Sequence, residues 1–210
     1  MHPELSNLLK NYPDLEPCVG DIQAAYEILS QTYQAGGKLL ICGNGGSASD
    51  SDHIVGELMK GFELKRPIND GLRQRLNQLS PETGAYLADH LQGALPAISL
   101  SAHSALATAI TNDTDGDIAF AQQVLGYGKQ GDTLLGISTS GNSVNVRHAL
   151  TVAKALGLHT IGLTGKTGGK MRDLCDVTIC APFERTLAVQ ERHLPIYHTL
   201  CIMLEQEFFE

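Results

Sequence analysis

Aromatic residues are scarce in this chain, which has no tryptophan, 6 tyrosines and 5 phenylalanines among 210 residues. Basic residues are outnumbered as well, because 15 Lys and Arg stand against 23 Asp and Glu, for a net charge of −8. An acidic chain argues against a broad contact surface for phosphate backbones, so neither nucleic acid nor a membrane surface is expected as its main partner. The few aromatics also disfavour an aromatic-lined groove.

Long hydrophobic runs, paired cysteine motifs and a secretory signal are also missing. No apolar stretch approaches the roughly 20 residues of a membrane span. The first residues, MHPELSNLLKNYPDLEP, contain no basic region followed by an apolar one. The five cysteines form no CxxC motif, and this pattern is typical of buried free thiols in a reducing compartment. These absences predict a cytoplasmic protein.

The chain does contain enough apolar material for a core. Hydrophobic residues make up 42% of it, and a length of 210 residues favours a single domain over residues 1–210. Short apolar segments alternate with helical stretches, which is typical of a parallel sheet covered by helices on both faces. Strands are predicted at residues 38–42, 97–100, 133–137, 160–163 and 177–181. The predicted fold class is therefore α/β, a three-layer αβα sandwich with a five-stranded parallel sheet.

Helices are predicted between and around these strands. A helical segment covers residues 1–36, with Asp21 as the cap of its main helix, and one long C-terminal helix covers residues 185–209. The polar stretch 68–93, in which Ser80-Pro81 is a good helix start, is predicted as a helical insertion. The other helices are predicted at about 47–59, 102–110, 117–126, 144–156 and 169–174.

Two loops rich in glycine and serine follow predicted strands. Gly43–Ser49 (GNGGSAS) comes after the first strand, and Ser138–Ser143 (STSGNS) comes after the third. Hydroxyls and the N–H groups of a helix start can hold a phosphate without a basic side chain, and glycine lets the backbone approach it closely. Either loop alone is compatible with an ordinary strand-to-helix turn. Because ligands bind at the carboxyl edge of parallel strands, the two together predict an anion site.

Imidazole and carboxylate groups recur on two predicted helices. His53 and Glu57 are four residues apart and therefore share a helix face, while Gln190, His193 and His198 belong to the last helix. Such a set can perform general acid–base catalysis or hold a metal ion. The spacing alone leaves two other interpretations open, an exposed helical pair and histidines that only pack.

Together these motifs resemble the sugar isomerase (SIS) domain and, within it, the phosphoheptose isomerase branch. The resemblance is carried by GNGGSASDSDHIVGEL, STSGNS and VQERHLPIYH, and it spans about residues 20–208 apart from 68–93. It implies a flavodoxin-like sheet and a homotetramer whose sites form between subunits. It also implies a set of residues that bind a sugar phosphate: Asn44, Gly45, Ser47, Asn112, Asp113, Ser138, Thr139, Ser140, Ser143 and Gln190.

The resemblance further implies aldose–ketose isomerisation through an enediol(ate), with Glu57 as the base and His198 as the acid. The favoured reaction converts sedoheptulose 7-phosphate to D-glycero-D-manno-heptose 7-phosphate, for surface polysaccharide. In members of this branch the same positions form a zinc site with one ion per subunit. The ligands here would be His53, Glu57, Gln190 and His198.

The sequence departs from the branch at two positions near these residues. An arginine that usually follows the glutamate is missing, so Lys60 is the nearest cation, and Ala188 stands where an arginine often precedes the glutamine. An isomerase of another sugar phosphate therefore stays open. A non-catalytic tetramer that binds a replication initiator also stays open, although retention of Glu57, Gln190 and His198 favours an enzyme. A sugar phosphate sensor is less favoured, because only about 20 residues precede the first main helix.

Overall fold

A computed structural model describes residues 2–210 of the chain and contains one five-stranded parallel sheet. The strands lie side by side in the order β2-β1-β3-β4-β5. This is the flavodoxin-like order that the family resemblance implies. The bounds of the strands are β1 Leu39–Gly43, β2 Ala97–Ser99, β3 Thr133–Ser138, β4 His159–Gly165 and β5 Val177–Ala181. All five predicted strands are confirmed, with ends that shift by one or two residues.

Nine α-helices surround the sheet formed by the described residues. Their bounds are α1 Pro3–Asn11, α2 Val19–Gln34, α3 Gly46–Met59, α4 Asp70–Leu79, α5 Pro81–His90, α6 Ser104–Asp113, α7 Ala119–Tyr127, α8 Val144–Ala155 and α9 Thr186–Phe209. Three short 3₁₀ helices connect them, at Pro13–Cys18, Gly116–Ile118 and Gly169–Leu174. None of the helices within residues 2–210 is both long enough and apolar enough to cross a membrane.

The helices form two layers, one on each face of the sheet. The larger core packs α1, α2, α3 and α9 against one face, and the smaller core packs α7 and α8 against the other. Every residue of β1 and β3 is buried. This burial explains why these strands are continuous apolar runs without alternating polar residues. The three-layer αβα sandwich predicted from the sequence is confirmed.

Several predicted helix boundaries were wrong. Asp21 does not cap α2, because the helix continues directly from the 3₁₀ helix Pro13–Cys18 and begins at Val19. The predicted helix 117–126 is divided between the 3₁₀ helix Gly116–Ile118 and α7, and the segment 169–174 is a 3₁₀ helix rather than an α-helix. These short segments are tied to their neighbours by tertiary contacts, which sequence periodicity does not report.

The polar stretch after α3 forms a helical hairpin of α4 and α5. Asn69 caps α4, because its side-chain oxygen accepts the N–H of Leu72 at 2.9 Å. The hairpin returns beside the loop that follows α3, where the Gln92 side chain accepts the N–H of Gly61 at 2.6 Å. The base of the hairpin therefore contacts the chain four residues after Glu57.

Candidate active site

The two glycine- and serine-rich loops lie together at the carboxyl edge of the sheet. Gly43, the last residue of β1, pairs in register with Ile137 of β3. The side-chain amides of Asn44 and Asn145 exchange two hydrogen bonds of 2.9 Å and so join one loop to the first turn of α8. Gly45 has a φ of +57°, a conformation that favours glycine. The predicted convergence of these loops follows from adjacent parallel strands.

The loop Ser138–Ser143 presents hydroxyls beside the beginning of α8. The Ser138 and Ser143 hydroxyls are 2.9 Å apart, so Ser143 turns towards Ser138 instead of capping α8. The Ser140 hydroxyl accepts the N–H of Asn142 at 3.2 Å, and Thr139 is half-buried beside it. The loop thus combines hydroxyls with N–H groups at a helix start, which is the chemistry of an anion site.

A second cluster of polar side chains, here called the site cluster, lies between α3 and α9 and consists of His53, Glu57 and His198. The Nε2 atom of His53 is 3.1 Å from a carboxylate oxygen of Glu57. The rings of His53 and His198 meet edge to face, with centroids 5.0 Å apart. Three residues predicted from two distant motifs are therefore brought together, because α3 and α9 run side by side in the same direction.

His198 combines a buried ring nitrogen with a lowered pKa. Its Nε2 atom is buried and has no hydrogen-bond partner among residues 2–210. Burial lowers the pKa of His198, the neighbouring His53 lowers it further, and Glu57 opposes both effects. The imidazole is therefore biased towards its neutral form, which can donate one proton and accept another.

Gln190 lies at the other end of α3. Its side-chain amide packs so closely on Gly46 that a Cβ atom there would overlap it. Gly46 opens α3, and His53 follows seven residues, or about 10 Å, further along the helix. Within the described part of the chain, no three His, Cys, Asp or Glu side chains are gathered closely enough to hold a metal ion.

The remaining predicted site residues occupy different environments. Ser47 is buried in the first turn of α3, where its N–H donates to the carbonyl of Asn44. Asn112 and Asp113 lie exposed at the end of α6, where the amide of Asn112 donates to the carboxylate of Asp113 at 2.9 Å. Across residues 2–210, no hydrogen bond links these two residues to the site cluster.

Known proteins resemble this chain over nearly its whole length. A family model for the SIS domain matches residues 15–85 and 76–165. A protein named phosphoheptose isomerase from Synechocystis is 40% identical over 190 residues, which are 90% of this chain and 84% of the relative. The chain belongs to the phosphoheptose isomerase family of SIS-domain proteins. A relative of the same name from Clostridium acetobutylicum is 40% identical over 191 residues, covering 91% of this chain and 84% of that protein.

Solved structures of this family agree with the fold. The phosphoheptose isomerase of Neisseria gonorrhoeae superimposes with a TM-score of 0.75 at 32% identity, covering 96% of this chain and 94% of that one. The enzyme of Francisella tularensis superimposes with a TM-score of 0.74 at 28% identity, with the same coverage. The arrangement of sheet and helices described above is therefore that of the family.

Lys60 is the nearest cation after Glu57, in a segment where the family resemblance leads one to expect an arginine in a different residue order. Its ammonium group is 3.3 Å from the second carboxylate oxygen of Glu57 and 3.1 Å from the Gly61 carbonyl. Glu57 thus has His53 at one oxygen and Lys60 at the other. Because the Lys60 side chain is more than half exposed, this pair contributes little to stability.

Sequence reasoning missed a buried ion pair, here called the clamp, that consists of Arg66 and Glu205. Their charged atoms are 2.7 Å apart, and both side chains are completely buried. The carboxylate also accepts three backbone N–H groups at 2.8 to 3.2 Å, those of Phe62, Glu63 and Leu64. Burial raises the pKa of Glu205, but the N–H groups of Phe62 and Glu63 and the Arg66 guanidinium outweigh burial and lower the pKa.

The clamp holds the end of α3 where Glu57 lies. The two terminal nitrogens of Arg66 donate to the carbonyls of Leu58 and Glu57, at 2.8 and 3.1 Å. These carbonyls belong to the last turn of the helix and have no partner within it. A signal was present in the sequence, since Glu205 directly follows the apolar run 200–204 of α9, but its partner is 139 residues away.

Tyr197, Asp50 and Asn145 were also missed by sequence reasoning. The Tyr197 hydroxyl contacts both His53 and Asp50. Asn145 joins the two loops through its hydrogen bonds to Asn44. Asp50 lies three residues before His53 and therefore shares its helix face, which is a signal that periodicity could have supplied. His193, whose role the sequence left open, is completely buried, and its Nε2 faces the Thr164 carbonyl of β4 at 3.4 Å.

Proposed function

We propose that this protein interconverts sedoheptulose 7-phosphate and D-glycero-D-manno-heptose 7-phosphate by aldose–ketose isomerisation. The observation that carries the proposal is the site cluster, in which a carboxylate and two imidazoles from separate helices meet. The reaction needs a base beside a carbonyl and an acid at its oxygen, and the cluster supplies both. The relatives named phosphoheptose isomerase support this substrate.

The phosphate would bind at the loop Ser138–Ser143. Its hydroxyls and the first N–H groups of α8 offer hydrogen bonds to an anion, and the Asn44–Asn145 pair keeps the loop against the turn that begins α3. The sugar chain would then extend along α3 past Gln190 towards His53 and Glu57. An acidic chain can bind such a ligand, because helix N–H groups and hydroxyls replace a basic patch.

Proton transfer would be shared by Glu57 and His198. Glu57 takes the proton from C1 of the ketose while His198 donates a proton to the C2 carbonyl oxygen, which yields the enediol. Removal of the proton from the C1 hydroxyl and protonation of C2 then give the aldose. The lowered pKa of His198 suits this role, because a neutral imidazole both donates and accepts protons near neutral pH.

The donor set of the site cluster suits zinc. His53 and Glu57 present an imidazole nitrogen and a carboxylate oxygen 3.1 Å apart on one helix face, and both are common zinc ligands. The Nε2 atom of His198, which has no hydrogen-bond partner among residues 2–210, would supply a third donor and the Gln190 amide oxygen a fourth. Both side chains would have to move, because no three described His, Cys, Asp or Glu side chains are gathered for a metal. When bound, zinc would polarise the sugar oxygens as a Lewis acid.

Metal content tests this part of the proposal directly. The protein is purified without chelators, supplied with zinc, freed of excess metal and subjected to elemental analysis. We expect one zinc ion per subunit, and His53→Ala should abolish it. Absence of bound zinc in the wild-type protein would reject the metal site while leaving the proton-transfer roles of Glu57 and His198 open to the activity test.

We further propose a homotetramer in which neighbouring subunits complete each site. Asn112 and Asp113 are expected to bind the sugar, yet they lie exposed at the end of α6 and, among residues 2–210, make no hydrogen bond to the site cluster of their own chain. Mixing Asp113→Ala subunits with Glu57→Gln subunits should restore activity if each site takes one residue from each chain. No recovery after subunit exchange, verified by light scattering, would contradict shared sites.

The decisive experiment measures conversion of sedoheptulose 7-phosphate by NMR in D₂O, with C5 and C6 ketose phosphates as comparison substrates. We expect an aldose product that carries deuterium at C2, because the transferred proton exchanges with solvent on the base. Failure to convert any of these sugars with folded, zinc-supplied protein would refute the isomerase proposal and favour a binding protein.

A further inference from the structure

Tyr197, the residue before His198, lies on the inner side of the site cluster. It is 2% exposed, and its hydroxyl oxygen is 2.9 Å from the Nδ1 atom of His53. The same hydroxyl donates to a carboxylate oxygen of Asp50 at 3.4 Å. The rings of Tyr197 and His53 meet edge to face with centroids 5.5 Å apart. The three side chains thus form one chain of hydrogen bonds behind the site.

The direction of these hydrogen bonds follows from counting protons. A tyrosine hydroxyl carries one proton, so it can donate either to Asp50 or to His53. The other oxygen of Asp50 is buried and has no hydrogen-bond partner among residues 2–210. When the hydroxyl donates to Asp50, its oxygen is free to accept a hydrogen from the Nδ1 atom of His53. When it donates to Nδ1 instead, the hydrogen of His53 lies on Nε2 and points at Glu57.

We propose that Tyr197, oriented by Asp50, is a positioning residue that holds His53 in the tautomer with hydrogen on Nδ1. The Nε2 atom of His53 is then a bare lone pair that faces the Glu57 carboxylate at 3.1 Å. Two acceptors at this distance repel each other unless a cation lies between them. Tyr197 thereby prepares His53 and Glu57 as a pair of metal ligands.

This inference rests on the proposed zinc site for its functional meaning, but its structural part can be tested without metal. Long-range ¹H–¹⁵N NMR of histidine-labelled, metal-free protein reports which ring nitrogen carries the hydrogen. At about pH 8, where an ordinary histidine is neutral, we expect a larger share of hydrogen on Nδ1 of His53 in the wild type than in Tyr197→Phe. An equal share in the two proteins would overturn the proposal.

Zinc affinity is the second readout, measured by competition with a fluorescent chelator. Tyr197→Phe should weaken binding by about 10- to 100-fold, as loss of an outer partner of a metal-bound histidine does. Tyr33→Phe is the matched control, since Tyr33 is also buried and its hydroxyl donates to the Pro96 carbonyl at 3.4 Å, remote from the site. It should bind zinc as the wild type does.

Asp50→Ala provides a second variant that acts through the same histidine. If Tyr197 and Asp50 work as one unit, the double variant should lose little more affinity than the worse single variant. Additive losses, or unchanged affinity in Tyr197→Phe, would overturn the proposal. If His53 shows the expected tautomer but the wild type binds no zinc, the metal part of the proposed function fails while the positioning role of Tyr197 stands.

Discussion

The clamp and the site cluster each include a residue of α9, but their polar atoms differ in how fully they are hydrogen-bonded. In the clamp, the Glu205 carboxylate accepts four hydrogen bonds, and both partners are completely buried. In the site cluster, the Nε2 atom of His198 and the Oδ2 atom of the adjoining Asp50 are buried and have no hydrogen-bond partner among residues 2–210. Satisfied polar groups stabilise a fold, and unsatisfied ones are expected where a ligand will complete them.

The two clusters are also mechanically connected. Arg66 donates to the backbone carbonyl of Glu57, so the clamp holds the helix turn from which the proposed base projects. A fully hydrogen-bonded cluster such as the clamp can hold the neighbouring reactive side chains of the site cluster in position. The comparison predicts that changes in the site cluster alter activity with little effect on the free energy of unfolding, whereas changes in the clamp lower that free energy.

The largest effect is expected from Glu57→Gln. Loss of the base should lower kcat by about 10² to 10⁴-fold, the usual contribution of general acid–base catalysis, with little change in thermal unfolding. The measurement is turnover of sedoheptulose 7-phosphate, with circular dichroism as the check on folding. Glu63→Gln, which alters an exposed carboxylate in the adjacent loop, is the control. Near-normal turnover in Glu57→Gln would remove the base assignment.

Glu205→Gln tests the other side of the comparison. Removing one charge of a buried pair should cost about 3 to 5 kcal/mol of unfolding free energy, because Arg66 is left buried and uncompensated. Urea denaturation measures the loss. Glu207→Gln, an exposed carboxylate on the same helix, should cost less than about 1 kcal/mol. Equal stability of the two variants would show that the clamp is not structural.

His193 lies between the two cases, because one ring nitrogen faces a carbonyl and the other is buried without a partner within residues 2–210. Burial lowers the pKa of His193 to about 4. The unfolded chain, with a pKa near 6.5, binds the proton first as the solution is acidified. The contribution of neutral His193 to the free energy of unfolding is therefore fully present above about pH 6.5. It decreases by about 3 kcal/mol as the pH falls to about 4.

Urea denaturation of the wild type and His193→Gln across this pH range isolates that contribution. The variant keeps a hydrogen-bond donor but does not titrate there, so its unfolding free energy should fall less steeply with acid. Parallel curves for the two proteins would mean that His193 is not held neutral by burial.

The smallest effect is expected at the sheet edge. Ser143→Ala removes one hydroxyl from the proposed phosphate site and should raise KM about tenfold with kcat nearly unchanged, because hydrogen bonds to charged groups contribute about 1.5 to 3 kcal/mol. Ser80→Ala, at the start of α5 in the hairpin, is the matched control. A fall in kcat without a change in KM would place Ser143 in the proton-transfer step instead.

Most of the sheet could be predicted from local sequence. Buried parallel strands are short apolar runs, and segments such as 133–137 and 177–181 are recognisable without any partner. Helix ends were harder, as Asp21 shows, because a preceding 3₁₀ helix replaced the expected cap. The pairing of Arg66 with Glu205 could not be predicted, since nothing near either residue specifies the other.

The sequence by itself determined the chemical components of the site. Spacing placed His53 and Glu57 on one helix face, and the positions of both loops after strands placed them at one edge of a parallel sheet. Only the tertiary structure decided which groups meet, because contacts between α3 and α9 join residues more than 140 positions apart. The Asp50–Tyr197–His53 chain exists for that reason, and hydrogen-bond direction within it depends on which buried atoms lack other partners.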